Sequence, residues 1–305
     1  MMTLDQQPPR TQEREEQISD LLQGAVDLHC HSGPAAFPRR INHREAMVDA
    51  GSAGFDAIVF KDHFYPGMAH AELLNQLYPD SRVKTYSGVA LNNAVGGINP
   101  YAVDHAVKLN GKIVWMPTFS ARNHIEKSAT ETKNYPKSKA PMLEQAPLTV
   151  LNDDGRLTQE AQDVLDVIAA GDIILAGGHL GVAELKILFA EAISRGVRKM
   201  LVNHPTYVIG CDEQDMKDMA RMGVFMEHSI CMFIECRGRK HQPDEFARLV
   251  DVVSEDSTIL GSDLGLVNMP LPVEGYREIV NTMLDLQFSE SRIRKLVGRN
   301  AASLI

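Results

Sequence analysis

The sequence lacks the features that mark several large classes of protein. Only four of its 305 residues are cysteine, at positions 30, 211, 231 and 236, and their spacing is that of neither a zinc finger nor a disulfide framework. We therefore expect reduced thiols. No apolar run approaches the roughly 20 residues that cross a bilayer. The start, Met1 to Glu16, is polar and charged rather than a secretory signal, so we expect a cytoplasmic protein with no membrane partner.

Two common catalytic motifs and an excess of positive charge are also missing. No Gly-x-x-x-x-Gly-Lys phosphate loop and no Gly-x-Ser-x-Gly elbow is present, which argues against nucleoside triphosphate and serine-hydrolase chemistry. The net charge of -9 argues against nucleic acid as a partner, although a local basic patch could still bind an anion. The partner that we expect is a small molecule.

What the sequence does contain is a regular alternation of strand-like and helix-like segments. Eight such units predict one (β/α)8 TIM barrel over residues 1–305, with an N-terminal helical arm (1–24) and a lid-like insertion after strand four (118–157). The predicted strands are 25–31, 56–61, 83–91, 112–117, 173–177, 199–203, 224–227 and 258–261.

Histidines and one aspartate stand where these strands end. His29 and His31 close strand one, and alternation along an extended strand places both side chains on one face. His63, His179 and His204 follow strands two, five and six, and Asp263 follows strand eight. Because barrel active sites form at the carboxyl ends of the strands, this pattern predicts a metal site at that rim.

These residues resemble the amidohydrolase superfamily of metal-dependent barrel hydrolases. The resemblance rests on the pair His29 and His31, on His179, His204 and Asp263, and on the tail Gly298-Arg299-Asn300-Ala301-Ala302. It implies that the five strand-end residues bind metal and that Asp263 is the general base. Strand four offers no bridging lysine or glutamate. The chain also looks like an uncharacterised branch of this group that carries Gly96-Gly97-Ile98-Asn99-Pro100.

The function that we expect is a metal-dependent hydrolase that cleaves an amide, cyclic amide or lactone. Zinc is the metal that the histidines favour, with manganese or iron as alternatives and one or two ions bound. His63 is predicted as an additional ligand or acid–base partner. Lys61 is predicted to pair with a substrate anion or, if carbamylated, to bridge two metals.

Three other functions remain open on the same residues. Lys61-Asp62-His63 resembles the second motif of the polymerase and histidinol phosphatase family, which makes a phosphoesterase the second choice. A metal-dependent decarboxylase is possible on this scaffold. So is a metal-binding sensor barrel without turnover, since a fold alone does not establish catalysis.

Basic residues around the predicted rim suggest an anionic substrate, which we expect to be a carboxylate held by arginine. Arg39, Arg122 and His124 are the predicted substrate-binding residues. The wider basic set is Arg40, Lys127, Lys133, Lys137, Lys139, Arg237, Arg239 and Lys240. Residues 147–157 read as a small hairpin that braces the lid.

Supporting roles are predicted for several further residues. Asp27 would fix the ring tautomers of the histidine pair, Glu227 rather than His228 would point inward, and Cys30 would point away from the histidines. The apolar strip in the N-terminal arm, Ile18, Leu21 and Leu22, would cover the barrel bottom or pack on another subunit. We expect a homo-oligomer.

Overall fold

Eight parallel strands form one sheet whose order follows the chain. The computed structural model describes residues 10–130, 138 and 140–305, and β1 to β8 pair in sequence order. The predicted (β/α)8 barrel is confirmed, and every strand end lies within two residues of its predicted place. The strands are β1 (Val26–Cys30), β2 (Ala57–Phe60), β3 (Lys84–Ala90), β4 (Ile113–Trp115), β5 (Ile174–Ala176), β6 (Met200–Asn203), β7 (Phe225–Ser229) and β8 (Thr258–Gly261).

Helices connect the strands and pack around them. Local sequence sets their ends: Asn99 accepts a hydrogen bond from the Tyr101 N–H and Pro100 opens the helix, as the Asn-Pro pair predicts. The helices are α1 (Gln12–Leu21), α2 (His43–Ser52), α3 (Met68–Leu77), α4 (Pro100–Lys108), α5 (Arg122–Thr130), α6 (Gln159–Gly171), α7 (Val182–Ser194), α8 (Glu213–Arg221), α9 (Pro243–Val253), α10 (Pro272–Asp285), α11 (Glu290–Arg294) and α12 (Asn300–Ala302). In the described part of the chain, no helix has the length and apolar character to span a membrane.

The barrel closes between β1 and the residues just beyond β8. The Asp263 N–H donates to the His29 carbonyl at 2.8 Å, and the His31 N–H donates to the Leu264 carbonyl at 2.9 Å. Closure of the barrel therefore places Asp263 beside the histidine pair.

A bulge in β1 directs both histidines inward. Asp27 pairs with Ile58 and Cys30 with Phe60, so β1 contains one more residue than β2 over this stretch. Leu28 belongs to the inner apolar cluster and Cys30 to the outer one. Without the extra residue, regular alternation from Leu28 would turn Cys30 inward instead of its neighbours. The bulge thus explains why Cys30 points away, as predicted.

The bottom of the barrel is filled by the end of the chain. Ala301 and Leu304 pack in the inner cluster, and Asn300 Nδ2 donates to the carbonyl of Thr258, the first residue of β8, at 2.7 Å. The predicted place of the N-terminal arm across the bottom is wrong, because the C-terminal segment occupies it.

Helix α1 of the arm lies instead beside α10. Arg14 Nε donates to Asn281 Oδ1 at 2.8 Å, and Arg277 pairs with Glu15. The predicted apolar strip Ile18, Leu21 and Leu22 is fully buried. Residues 1–9 of the predicted arm lie outside the described residues.

The predicted insertion after β4 contains a helix and a hairpin. Helix α5 lies within this lid-like insertion. The predicted hairpin is present, with an antiparallel bridge between Leu151 and Leu157. The lid residues Lys133, Lys137 and Lys139 lie outside the described residues.

Candidate metal centre and active site

A cavity of about 320 Å³ opens at the carboxyl ends of the strands. Five of the predicted histidines line it, together with four basic side chains. Asp263 is the one acid among the described residues of the lining. These polar residues are His29, His31, His63, His179, His204, Arg39, Lys61, Arg237, Lys240 and Asp263.

Three predicted ligands converge on one point of this cavity. Asp263 Oδ1 lies 3.0 Å from His31 Nε2 and 3.3 Å from His29 Nε2. One donor atom from each of these residues lies within 4.8 Å of the others, and among the described residues this is the group that could hold a metal ion. The three side chains come from the segment at the end of β1 and from the loop after β8, the two segments that close the barrel.

The rings of the histidine pair are held by atoms that can only accept a hydrogen bond. His29 Nδ1 lies 2.5 Å from Glu227 Oε1, and His31 Nδ1 lies 3.0 Å from the carbonyl oxygen of Lys61. Each Nδ1 therefore carries the hydrogen, and each Nε2 can present a lone pair to an ion. Glu227 is the inward residue of its pair, as predicted, and Asn203 Nδ2 holds its second oxygen at 3.2 Å.

Asp27 supports the site through the backbone rather than through a ring. Its Oδ1 accepts the N–H groups of His29 and Ser262, each at 2.9 Å. The predicted role in fixing a tautomer therefore belongs to Glu227, which the β1 bulge brings against His29. Asp27 instead ties β1 to the start of the Asp263 loop.

The other three cavity histidines form a second group beside the ligand pair. Ring centroids are 6.2 Å apart for His63 and His179, and 5.0 Å apart for His179 and His204. His204 is also 6.2 Å from His29. His179 and His204, predicted as ligands of a common ion, are not in the converging group, so that assignment stays a prediction.

Burial and nearby charges give the cavity histidines different pKa values. Burial lowers the pKa of His31 to about 3 and that of His204 to about 4. Burial and Lys61 act in the same direction on His29, but the carboxylates of Asp263 and Glu227 outweigh them and raise its pKa to about 9. His29 and Asp263 therefore share a proton at the point where an ion would bind.

Lys61 is buried beside the converging group. Its Nζ lies 3.0 Å from His29 Nε2 and 5.4 Å from the centre of the Trp115 ring. Burial lowers the pKa of Lys61 to about 8. The predicted carbamate bridge remains a prediction.

Residues 24–227 of the sequence match the family of unknown function DUF6282. The chain belongs to this family. No curated protein matches the sequence.

The fold of this DUF6282 member is similar to that of solved structures over nearly its whole length. An amidohydrolase from Pseudomonas aeruginosa has 13% sequence identity and a TM-score of 0.64, covering 95% of this chain and 97% of its own. The dipeptidase AC, a metallo peptidase, has 13% identity and a TM-score of 0.56, with coverage of 93% and 98%. A protein designated a 2-pyrone-4,6-dicarboxylic acid hydrolase, from Pseudomonas putida, has 13% identity and a TM-score of 0.54, with coverage of 92% and 97%. The expected resemblance to the amidohydrolase superfamily is thus confirmed at the level of the fold.

The predicted substrate-binding residues of the DUF6282 chain take three different positions. Arg39 lines the cavity, with its Nη2 3.2 Å from Asp62 Oδ2. His124 is buried behind the lining, where its Nδ1 lies 2.8 Å from His179 Nδ1. Arg122 is exposed and does not line the cavity, so its position does not support substrate binding.

The wider basic set is also divided in this family member. Arg237 and Lys240 line the cavity. Arg239 pairs with Glu235, and Arg40 pairs with Glu274 at the surface. The cationic character of the cavity therefore comes from fewer residues than the sequence suggested.

Several site residues of the DUF6282 chain escaped the sequence analysis. Cys231 Sγ lies 3.8 Å from Asp263 Oδ2, and Asn203 holds Glu227. Thr118 lies 2.9 Å from His63 Nδ1 through its hydroxyl. All three lie at or just beyond a strand end, and that position is the sequence feature that could have indicated a place in the site.

Proposed function

We propose that this protein is a metal-dependent hydrolase that cleaves a C–N or C–O bond of a small anionic substrate, such as an amide, cyclic amide or lactone. The observation that carries the proposal is the convergence of His29 Nε2, His31 Nε2 and Asp263 Oδ1. The fold that this chain shares with the amidohydrolase and the metallo peptidase supports the same class of reaction.

The donor set fits a divalent cation such as zinc. Two imidazole nitrogens and one carboxylate oxygen form a common catalytic zinc set, which leaves a position for substrate. The orientation of the two rings supports the fit as well as the spacing of the donor atoms. Glu227 and the Lys61 carbonyl bind the Nδ1 atoms, so both Nε2 atoms face Asp263. Zinc is proposed over manganese or iron on the nitrogen content of the set.

The protein side chains supply positioning and proton transfer. A divalent cation at this place would lower the pKa of a bound water from about 15.7 towards 7 and polarise a carbonyl. Burial acts to raise the pKa of Asp263, but His29 and His31 hold it well below its usual value, so the carboxylate is ionised. Its Oδ2 faces Cys231 rather than the histidine pair, and Asp263 is therefore the proposed general base.

Positive charge in the cavity supports an anionic substrate. Arg39, Lys61, Arg237 and Lys240 line it against the single carboxylate of Asp263 among the described residues. Arginine binds a carboxylate through two parallel hydrogen bonds. The Pseudomonas putida protein with this fold is designated as acting on a dicarboxylic acid, and we extend that substrate class to this chain.

A substitution of Arg39 tests whether the substrate is anionic. Changing Arg39→Met should raise KM for a carboxylated substrate by about 10-fold or more, because a hydrogen bond to a charged group is worth about 1.5–3 kcal/mol. A neutral analogue should be affected less. Arg82→Met is the control, since Arg82 pairs with Asp56 away from the cavity. A wild-type preference for neutral amides would contradict an anionic substrate, and phosphate release without amide or ester cleavage would favour a phosphoesterase.

Removal of the metal tests whether the hydrolase activity depends on a bound ion. Protein purified without added metal, stripped with a chelator and assayed on a panel of carboxylated amides and lactones should lose turnover. Adding one equivalent of zinc per chain should restore it, and elemental analysis should count the ions. Turnover that is unchanged after complete removal of metal would contradict the proposal.

A further inference from the structure

His63 differs from His29 and His31 in the kind of atom that holds its ring. The pair meets a carboxylate and a carbonyl, which can only accept. His63 Nδ1 lies 2.9 Å from Thr118 Oγ1, a hydroxyl that can either donate or accept. The direction of this one hydrogen bond decides whether His63 presents a lone pair or an N–H group at its other nitrogen.

The hydrogen bonds of Asn92 determine whether the Thr118 hydroxyl donates to His63 or accepts from it. Asn92 Oδ1 accepts the backbone N–H groups of Thr118 at 2.8 Å and Ser120 at 3.0 Å. Because those groups can only donate, the amide oxygen must lie on that side. The Nδ2 atom then donates both of its hydrogens, to the His63 carbonyl at 2.8 Å and to Thr118 Oγ1 at 2.6 Å. Asn92 is fully buried, so all of its hydrogen-bonding capacity is used within the protein.

The Thr118 hydroxyl must therefore donate to His63. Its oxygen already accepts from Asn92, and among the described residues its other partner is His63 Nδ1. Thr118 is fully buried, and a buried hydroxyl hydrogen without an acceptor is unfavourable. His63 Nδ1 is consequently the acceptor, and the hydrogen of the neutral ring lies on Nε2.

The charge of the ring follows from the same hydrogen bonds. An imidazole whose Nδ1 accepts a hydrogen bond carries its single hydrogen on Nε2 and is neutral. His63 lines the cavity, its ring centroid is 5.2 Å from that of His31, and its Nε2 makes no hydrogen bond within the described residues.

We infer that His63 is a hydrogen-bond donor to a substrate oxygen rather than a metal ligand, and that Thr118 and Asn92 are positioning residues that hold it in this tautomer. The role toward substrate rests on the proposed function, whereas the tautomer does not. A neutral imidazole N–H beside the ion would bind the oxygen on which negative charge develops during hydrolysis. Removing one such donor typically costs about 100- to 1000-fold in kcat.

The tautomer can be read by NMR of the whole protein with 15N-labelled histidine rings. Two-bond couplings to the ring carbon hydrogens distinguish an Nε2–H ring from an Nδ1–H ring. We expect His63, assigned with a His63→Gln variant, to be Nε2–H and to keep its ring nitrogen shifts when one equivalent of zinc is added. His29 and His31 should shift on the same addition.

Thr118 supplies a matched pair of variants. Thr118→Val keeps the shape but removes the hydroxyl, so the His63 signal should lose its Nε2–H preference while the signals of His29 and His31 still shift with zinc. Thr118→Ser keeps a hydroxyl and should keep the Nε2–H ring. With the carboxylated substrates, kcat of Thr118→Val should fall more than its KM changes.

Two results would overturn the inference: an Nδ1–H ring at His63 in the wild type, or a zinc-induced shift of its Nε2. Neither reading depends on Thr118→Val, so both remain decisive if that variant does not fold. Failure of the metal centre would appear separately, as the absence of zinc-induced shifts at His29 and His31.

Discussion

The ligand side of the cavity and its second group of histidines contain the same kind of side chain, but most of their rings are held by different kinds of atom. On the ligand side, defined by His29, His31 and Asp263, a carboxylate and a carbonyl take the Nδ1 hydrogens and turn both Nε2 atoms toward one oxygen, Asp263 Oδ1. In the second histidine group, defined by His63, His179 and His204, a hydroxyl and a second imidazole hold two of the rings, and the carbonyl oxygen of Tyr207 lies 3.3 Å from Nδ1 of the third. The kind of atom behind the ring therefore distinguishes His63 and His179 from the ligand pair.

The largest expected effect is on the ligand side, at Asp263. Changing Asp263→Asn should lower kcat by about 10²- to 10⁴-fold, the range for losing a general base. The amide oxygen can still face the ion, so zinc content measured by elemental analysis should fall much less. Asp56→Asn, at an exposed aspartate paired with Arg82, is the matched control. Turnover that survives Asp263→Asn would remove Asp263 from the chemistry, whereas a sensor barrel would show no turnover in either protein.

A smaller effect is expected when the atoms behind the rings are changed. Glu227→Gln should weaken zinc binding by about 10- to 100-fold, because it replaces the acceptor that orients His29 and raises its basicity. His124→Gln makes the corresponding change behind His179. Zinc affinity of the first equivalent, measured by competition with a chelator, should not change in His124→Gln. If His124→Gln weakened zinc binding more than Glu227→Gln, the tighter ion would lie at the second histidine group.

The smallest effect is a pH dependence of metal binding. The Asp263 and Glu227 carboxylates outweigh burial and Lys61 and raise the pKa of His29 to about 9, so zinc must displace a proton there below that pH. The apparent affinity should rise about tenfold per pH unit as pH increases from 7 and level off near 9. His31, whose pKa burial lowers to about 3, adds no proton in this range. Zinc titrations between pH 6.5 and 9.5 check the slope, and a flat profile would contradict the protonated state of His29.

The comparison of the two sides also shows what the sequence could predict. The alternation of apolar segments predicted the barrel and every strand, because each βα unit carries a local pattern. The positions of His29, His31 and Asp263 at strand ends predicted that they meet, since parallel strands bring those ends to one rim.

The parts that could not be predicted depend on exact register and on distant partners. The β1 bulge is visible only from the pairing of Asp27 and Cys30 with β2. The pairing of His29 with Glu227 joins residues on β1 and β7. Arg122 was predicted at the rim from its charge, but the turn of α5 leaves it exposed. The charge of a residue does not predict which face of its helix it occupies.

Anomalous diffraction from crystals grown with one equivalent of zinc would locate the ion. We expect the ion about 2.0–2.2 Å from His29 Nε2, His31 Nε2 and an Asp263 oxygen, with His63 outside that distance. An ion bound only by His63, His179 and His204, or no ordered ion in a fully loaded crystal, would contradict this expectation.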